Sequence, residues 1–435
     1  MSILIGVRRE DKNRWERRTP LIPEHVRELK DKHSIECVVQ PSKIRVFSDE
    51  EYVYAGAKVQ DALSSCSIIF AIKEIPPKLF ECGKTYVFFS HTIKGQKHNM
   101  PMLKRILDLK CTLIDYEKIV DEEGRRLIFF GGYAGIAGMI DTLWALGRKL
   151  ELEGISMPFS EIHQTLHHKS LKKAKEEIIK VGKKIATDGI PKALSPLICG
   201  FGGYGNVSKG AQEILDLLPM KEVEPEKIDS LYANPSTKHI YKVVFEEKDM
   251  VEPLSGKFEL SDYYEHPEKY RSKFDSYIPH LTIFMNCIYW NGRYPRFVTK
   301  NYIRYLFEQK EKPRLRVIGD ISCDIGGSIE FTSKCTNPSN PIFIYDPLED
   351  KTVDGFEGNG VMVMAVDNLP CELPRESSTY FSKTLFPFVP EIAHADFPSN
   401  FDDCELPPSI KNAVIAYKGE LTPNYKYLQR YLGNK

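Results

Sequence analysis

The chain has 435 residues, too many for one hydrophobic core, so two or three domains are expected. Lys plus Arg and Asp plus Glu are equal at 60 each, which leaves no overall field for nucleic acid or an anionic membrane; either would need a local patch, and none is visible. The ten cysteines are scattered, without a CxxC pair or a zinc spacing, as suits reduced thiols in a cytosol-like compartment.

The sequence begins at once with an apolar strand, Ile3 to Val7, and shows neither a signal-peptide core nor an Arg/Ser-rich presequence. A cytoplasmic protein is therefore expected, with the mitochondrial matrix as the alternative if the N-terminus is truncated. From there to about residue 130 strands and helices alternate. Helices are expected at Ile22 to Lys32, behind Pro20 and Pro23, at Ser48 to Ala55 and at Met100 to Leu109, and strands at Ile35 to Gln40, Ile68 to Lys73, Thr85 to Ser90 and Thr112 to Asp115. This βαβ alternation implies an α/β fold with a mainly parallel sheet, whose ligand groups gather at the carboxyl ends of the strands. Lys73 and His91 both follow such ends. The one membrane-like run, Leu127 to Gly147, is broken by glycines and Asp141, so no membrane span is expected.

Tyr133 to Gly154 reads as a long helix crossing into a second domain, with Ala134, Gly135, Ala137 and Gly138 small enough for close packing. Ser160 to Ala186 reads as a Lys-rich amphipathic helix carrying His163, His167 and His168. Their spacing resembles that of metal ligands, but no carboxylate or thiolate completes a set, and solvated side chains with no metal are expected. Ser195 to Leu215 then reads as strand, tight turn and helix. The preferred register puts Gly203 at the turn, Gly205 where a backbone approaches a pyrophosphate, and Ser208 in the third-glycine position; Gly210 and Ala211 would let the helix lie close on the sheet. Tyr204, Asn206 and Val207 complete the loop and the helix start, whose free N–H groups suit phosphate. A second register, Gly200-x-Gly202-x-x-Gly205, would place the turn inside the strand, and glycine clusters of this kind also mark ordinary turns.

Lys221 to Val223 is expected to be the second strand of the nucleotide fold, with Glu224 where a ribose acid belongs. A polar insertion, about 226–280, follows with its own strand at Ile240 to Phe245, and Leu281 to Tyr289 and Leu315 to Ile321 read as buried strands. Helical residues from Pro374 and the tail are expected to return to the first domain. The expected organisation is a substrate domain of residues 1–132 plus 371–435 and a dinucleotide-binding domain of residues 133–370.

Lys73 follows a buried strand, where desolvation would lower its pKa and make it a base for an amine proton; a snorkelling surface lysine is the plain alternative. His91 is the only histidine that follows an apolar strand, and its ordinary pKa suits proton traffic, although a satisfied core histidine would look the same.

Trp15-Glu-Arg-Arg-Thr-Pro-Leu-Ile-Pro23, Phe89-Ser-His-Thr-Ile-Lys94, Ile114-Asp-Tyr-Glu117, Tyr204-Gly-Asn-Val-Ser-Lys-Gly-Ala211 and Asp320-Ile-Ser-Cys-Asp-Ile-Gly-Gly-Ser-Ile-Glu-Phe331 resemble the lysine-ketoglutarate reductase half of the bifunctional α-aminoadipic semialdehyde synthases. The resemblance runs essentially end to end. That half is similar to the lysine-forming saccharopine dehydrogenases of fungi and, more distantly, to alanine dehydrogenase. The resemblance implies two Rossmann-like domains with mainly parallel sheets and an interdomain cleft, and condensation of L-lysine with 2-oxoglutarate followed by reduction to saccharopine. It implies NADP(H), with NAD(H) as the alternative that Glu224 suggests.

By the same resemblance Lys73 is the catalytic lysine, His91 does acid–base work, Lys94 contacts substrate, and Arg126 and Phe130 line the pocket. Arg18 would clamp a substrate carboxylate, with Arg17 as the solvated neighbour. Glu74 and Glu117 would tune the lysine and the histidine, or be plain surface acids. Asp320, Asp324 and Asp367 would hold the nicotinamide ribose. An alanine-type amino-acid dehydrogenase and a non-catalytic subunit that binds saccharopine or nucleotide are the alternatives. The sequence stops at Lys435 with only one dinucleotide fingerprint, so a single activity is expected, with a separate saccharopine dehydrogenase as a possible associate.

Overall fold

The computed structural model describes residues 3–309 and 313–433, so the terminal Lys435 lies outside them. The chain forms two compact units, residues 1–130 with 374–435 and residues 131–373.

The first unit opens with six strands, β1 (Ile3–Val7), β2 (Ile35–Val39), β3 (Lys58–Val59), β4 (Ile68–Phe70), β5 (Thr85–Phe88) and β6 (Thr112–Asp115). They pair in parallel in the order β6-β5-β4-β1-β2-β3. Helices α1 (Pro23–His33), α2 (Asp49–Tyr54) and α3 (Met100–Asp108) are the crossovers. Local chemistry sets their ends. Pro23 opens α1, and Ser34 closes it in the left-handed region at φ 56°; Ser48 and Glu51 form a capping box on α2. Because helices cover both faces, β4 and β5 are buried along their whole length and read as continuous rather than alternating apolar runs.

The second unit begins with the long helix α4 (Gly131–Leu152), followed by α5 (Leu171–Asp188) and α6 (Asn206–Leu215). The amphipathic helix starts at Leu171, eleven residues later than the sequence pattern suggests. Asp141 of α4 accepts the Thr165 N–H at 2.8 Å, and Thr165 Oγ1 donates to the Ala137 carbonyl at 3.1 Å, tying the preceding segment to α4 in short 3-10 turns. His163, His167 and His168 are therefore off the helix, and His163 Nδ1 and His168 Nε2 flank Glu177 at 2.9 and 3.4 Å.

The second sheet contains β7 (Leu197–Gly202), β8 (Met220–Glu222) and β9 (Ile240–Phe245), then, beyond a separate hairpin of β10 (Val251–Pro253) and β11 (Tyr270–Ser272), β12 (Ile283–Asn286), β13 (Val317–Asp320), β14 (Ile342–Asp346), β15 (Lys351–Asp354) and β16 (Val361–Met364). Its order is β8-β9-β7-β12-β13-β16-β14-β15, parallel from β8 to β16 and antiparallel at β14 and β15. Alternate residues of β7 serve opposite faces. Leu197, Cys199 and Phe201 pack with Ile140 and Leu143 of α4, while Ile198 packs with Phe245 and Phe284.

The strand beside β7 is β9, not β8. The six residues of β9 are nearly all buried, as an interior strand requires, whereas β8 is three largely exposed residues suited to an edge. Ile240 to Phe245 is thus part of the main sheet and not of an insertion. Lys242 of β9 is buried but paired with Asp216 and Glu222, each at 3.0 Å.

The chain then returns to the first unit through α7 (Pro374–Leu385), β17 (Val414–Tyr417) and β18 (Glu420–Leu421); β17 joins β6 antiparallel and β18 forms the sheet edge. Among the described residues no helix is long and apolar enough to cross a membrane.

Candidate active and nucleotide sites

In the first unit the carboxyl ends of β1, β4, β5 and β6 bring ionisable groups together. Since β4 and β5 are parallel neighbours, the residues that follow them meet. Glu74 Oε1 lies 2.6 Å from His91 Nδ1, and its Oε2 lies 3.1 Å from Lys12 Nζ. Burial opposes the Glu74 charge, but the His91 hydrogen bond and the positive neighbours win and hold the carboxyl well below its usual range. An ionised carboxylate only accepts, so the proton belongs on Nδ1 of His91 and Nε2 is left for exchange. His91 itself sits at φ 48°, with its carbonyl accepting Asn99 Nδ2 at 3.1 Å. Few non-glycine residues adopt that backbone, and here it turns the ring toward Glu74.

Lys73 is anchored by its backbone. Glu10, 5% exposed, accepts the Ile72 N–H at 2.7 Å and the Lys73 N–H at 3.0 Å with its two oxygens. The Lys73 ammonium is disfavoured first by burial and then by the nearby Arg18 and Lys12 charges, so its pKa falls below the usual lysine value. Burial and the Glu16 charge push Glu10 the other way, up to about 7. Nothing in the sequence signals Glu10, because the residues it holds are more than sixty positions away.

Arg18 and Glu16 are both almost inaccessible, at 3% and 1% exposure. Arg18 donates from Nε to Glu16 Oε1 at 2.7 Å and from Nη2 to Oε2 at 2.6 Å, and its guanidinium lies 4.3 Å above the Phe130 ring. Phe130 in turn stacks on Phe381 at 4.5 Å. One forked face of the guanidinium, Nε with Nη2, is thus used on Glu16. The adjacent Arg17 is exposed, with Nε on the Ile44 carbonyl. Arg126 is exposed and ion-paired with the largely buried Glu117, and Lys94 is exposed on the turn after His91. Asp115 is fully buried; burial raises it to about 6 even though Ser90 and the Glu117 N–H donate to it.

In the second unit β7 ends at Gly202, and the turn falls at Gly203, whose φ of 88° is left-handed. Gly200 and Gly202 lie inside the strand, which excludes the second glycine register. Gly205 precedes α6 with open space where a side chain would project, and no side chain caps the helix. Those are the features a pyrophosphate needs: an unobstructed approach and unpaired N–H groups at a helix start. The residues present fit a dinucleotide. Ser208 is buried and accepts Gln212 Nε2 at 2.9 Å, and Gly210 packs against α4 rather than on the sheet: a Cβ there would sit 2.1 Å from the Gly132 carbonyl oxygen.

Glu224 is not beside that turn. It is exposed and follows the edge strand β8. The acids at the end of β7's true neighbour are Glu246 and Glu247. Asp320, 1% exposed, faces inward, with Thr332 Oγ1 donating at 2.6 Å, Asn286 Nδ2 at 2.7 Å and the Cys323 N–H at 3.2 Å, so it fixes the loop after β13. Asp324 and Asp367 are exposed beyond the ends of β13 and β16, and their charges help to raise the Cys323 thiol after burial and Asp320 have done so.

The chain belongs to the alanine dehydrogenase/PNT family: the N-terminal domain of that family matches residues 6–137 and its C-terminal domain residues 268–424. More particularly, it is 41% identical over 448 residues to the α-aminoadipic semialdehyde synthase of Arabidopsis thaliana, covering 98% of this chain and 41% of that one. It is 37% identical to the mitochondrial α-aminoadipic semialdehyde synthase of Bos taurus, over 99% of this chain and 48% of that one. The chain therefore spans less than half the length of these relatives. It is 28% identical to the NAD(+), L-lysine-forming saccharopine dehydrogenase of Yarrowia lipolytica, over 88% of this chain and 90% of that one. A solved L-alanine dehydrogenase shares the fold at TM-score 0.64 and 16% identity, covering 99% of this chain and all of that one.

Proposed function

We propose that the protein is an oxidoreductase that condenses L-lysine with 2-oxoglutarate and reduces the resulting imine to saccharopine. The observation that carries this is the set Lys73, Glu74 and His91 at adjacent strand ends, in a chain similar along nearly its whole length to enzymes named for aminoadipic semialdehyde and for lysine-forming saccharopine chemistry.

The reaction needs proton handling at two points. A substrate ε-ammonium must lose a proton before its nitrogen can attack the ketone, and the carbinolamine hydroxyl must gain one to leave as water. Lys73, whose ammonium is disfavoured by burial and by Arg18, suits the first task. His91, with Nδ1 committed to Glu74, presents Nε2 for the second. Glu10 positions Lys73 through two backbone hydrogen bonds. The exposed cations Arg126 and Lys94 are suited to the substrate carboxylates, while Arg18, locked on Glu16, acts through its charge on Lys73.

Gly203 to Ser208 would hold the pyrophosphate of a nicotinamide dinucleotide, which supplies the hydride when bound. The test is dinucleotide oxidation with lysine plus 2-oxoglutarate against pyruvate plus ammonia. Turnover with the first pair alone is expected, and turnover with only the second would replace this reading with an alanine-type dehydrogenase.

A further inference from the structure

Within the first unit, the turn that follows His91 is held from two sides. Its base is set by the core: Thr92 is fully buried with Oγ1 2.7 Å from Ser90 Oγ, and the His91 carbonyl accepts Asn99 Nδ2 at 3.1 Å. The Gly95 N–H donates to the Thr92 carbonyl at 2.8 Å and closes a β-turn with Ile93 and Lys94 at its central positions. Lys94, exposed at the tip, keeps a negative φ, as in a type I turn. The type II form, in which the peptide between Ile93 and Lys94 is flipped, needs a positive φ there.

The tip is held by the C-terminal 3-10 segment Pro423–Tyr431. Its three-residue period puts Tyr425, Leu428 and Tyr431 on one side. Tyr425 and Leu428 anchor the segment: both are buried, and the Tyr425 hydroxyl donates to the Asn412 carbonyl at 2.7 Å. Tyr431 then packs on Gly95, which has a left-handed φ of 68° and where a Cβ would sit 2.6 Å from the ring. Tyr427 Oη donates to the Ile93 carbonyl at 2.6 Å. That carbonyl belongs to the one peptide whose rotation separates the two turn forms, so the tyrosine fixes the frame from which Lys94 projects. The Tyr427 phenol is raised by burial first and then by Tyr431, with the Glu117 charge adding to it. The segment therefore lies within electrostatic reach of the carboxylate that pairs with Arg126, the other cation suited to a substrate carboxylate.

We propose that Tyr427 and Tyr431 are positioning residues for the reaction above: they clamp the 92–95 turn so that Lys94 meets a substrate carboxylate. This rests on the lysine and 2-oxoglutarate reading and on Lys94 as a substrate contact, through which both tyrosines act.

The test is a double-mutant cycle on the full chain. Lys94→Met identifies the carboxylate: KM should rise roughly ten-fold or more for either lysine or 2-oxoglutarate, as loss of a charged hydrogen bond requires. Tyr427→Phe keeps the ring and loses only the hydroxyl. It should raise KM for that same substrate roughly three-fold or more, with kcat within about two-fold and the pH profile of kcat/KM unmoved. In the double variant KM should be no higher than with Lys94→Met alone, since the hydroxyl works through the lysine. Hydrogen exchange read by mass spectrometry should be about five-fold faster or more across the 92–95 turn in Tyr427→Phe, with Tm unchanged. Tyr431→Leu, which takes the ring off Gly95, should act in the same direction. An unchanged KM in Lys94→Met or Tyr427→Phe, a rise for different substrates in the two, or effects that multiply in the double variant overturn the proposal and leave the reaction in place. So does unaltered exchange at the turn, or a joint fall of kcat and Tm that marks plain loss of structure. No turnover of lysine with 2-oxoglutarate by the unaltered protein would defeat the reaction and this inference together.

Discussion

Glu74 joins His91 to Lys12: one carboxylate oxygen lies 2.6 Å from Nδ1 of the histidine and the other 3.1 Å from the lysine ammonium. The contact with His91 fixes which ring nitrogen carries the proton. Glu74→Gln keeps the shape but lets either nitrogen be protonated. Steady-state kinetics should show kcat/KM falling roughly ten-fold or more, with dinucleotide binding unchanged. Equal losses in rate and in dinucleotide affinity would move Glu74 out of the substrate chemistry.

Lys73→Met tests the base. Turnover is expected to fall by about a hundred-fold or more with dinucleotide affinity nearly intact. In the unaltered enzyme kcat/KM should rise with pH through a midpoint below lysine's ordinary 10.5, because burial and Arg18 disfavour the ammonium and only the neutral amine accepts a proton. That rise should be absent from the methionine variant.

Glu10 links pH to stability. Its carboxyl is raised from an ordinary 4.5 to about 7 by burial and by Glu16. A carboxyl raised in the folded state gives stability that is complete below the unfolded value and is lost as pH rises through the folded one. Thermal unfolding of the native protein should therefore show a downward contribution to Tm between about pH 4.5 and 7. Glu10→Gln, which cannot ionise, should flatten the profile in that window relative to the unaltered protein. Identical slopes would mean that Glu10 is already ionised at low pH.

The first turns of α4 allow a sharp packing test. A Cβ on Gly135 would sit 1.9 Å from the Val207 carbonyl oxygen, whereas one on Gly132 would meet nothing within 4 Å. Urea unfolding should show Gly135→Ala destabilised by about 1–3 kcal/mol or more. Gly132→Ala should be neutral or more stable by up to about 1 kcal/mol, because alanine loses less backbone entropy in a helix. Similar values for the two would show that α4 and α6 are not in close contact.

The parts of this account that were legible in the sequence are those set by short-range rules. Gly203 and Gly205 follow an apolar run and precede a helical one, and Lys73 and His91 follow buried strands whose parallel pairing brings their ends together. What long-range pairing decides was not legible. Strand β8 comes first after α6, yet the longer and more buried β9 takes the place beside β7, so the acids that follow β7's neighbour are Glu246 and Glu247, while Glu224 follows the edge strand. The buried run Ile240 to Phe245 was the available signal. Arg18 was readable as a special arginine, but its bidentate partner is Glu16, two residues away in the chain, an internal pairing that the motif does not disclose. Ser160 to Leu171 has helical spacing, and only the tertiary bonds from Asp141 and Thr165 keep its first part out of the helix.

The central claim is tested most directly by mass spectrometry of the product formed from lysine, 2-oxoglutarate and a reduced nicotinamide dinucleotide deuterated at C4. The account predicts saccharopine, one lysine joined to one 2-oxoglutarate with loss of one water and gain of two hydrogens, carrying a single deuterium on the former ketone carbon. A deuterated alanine from pyruvate and ammonia, or dinucleotide oxidation that yields no lysine adduct, would contradict it.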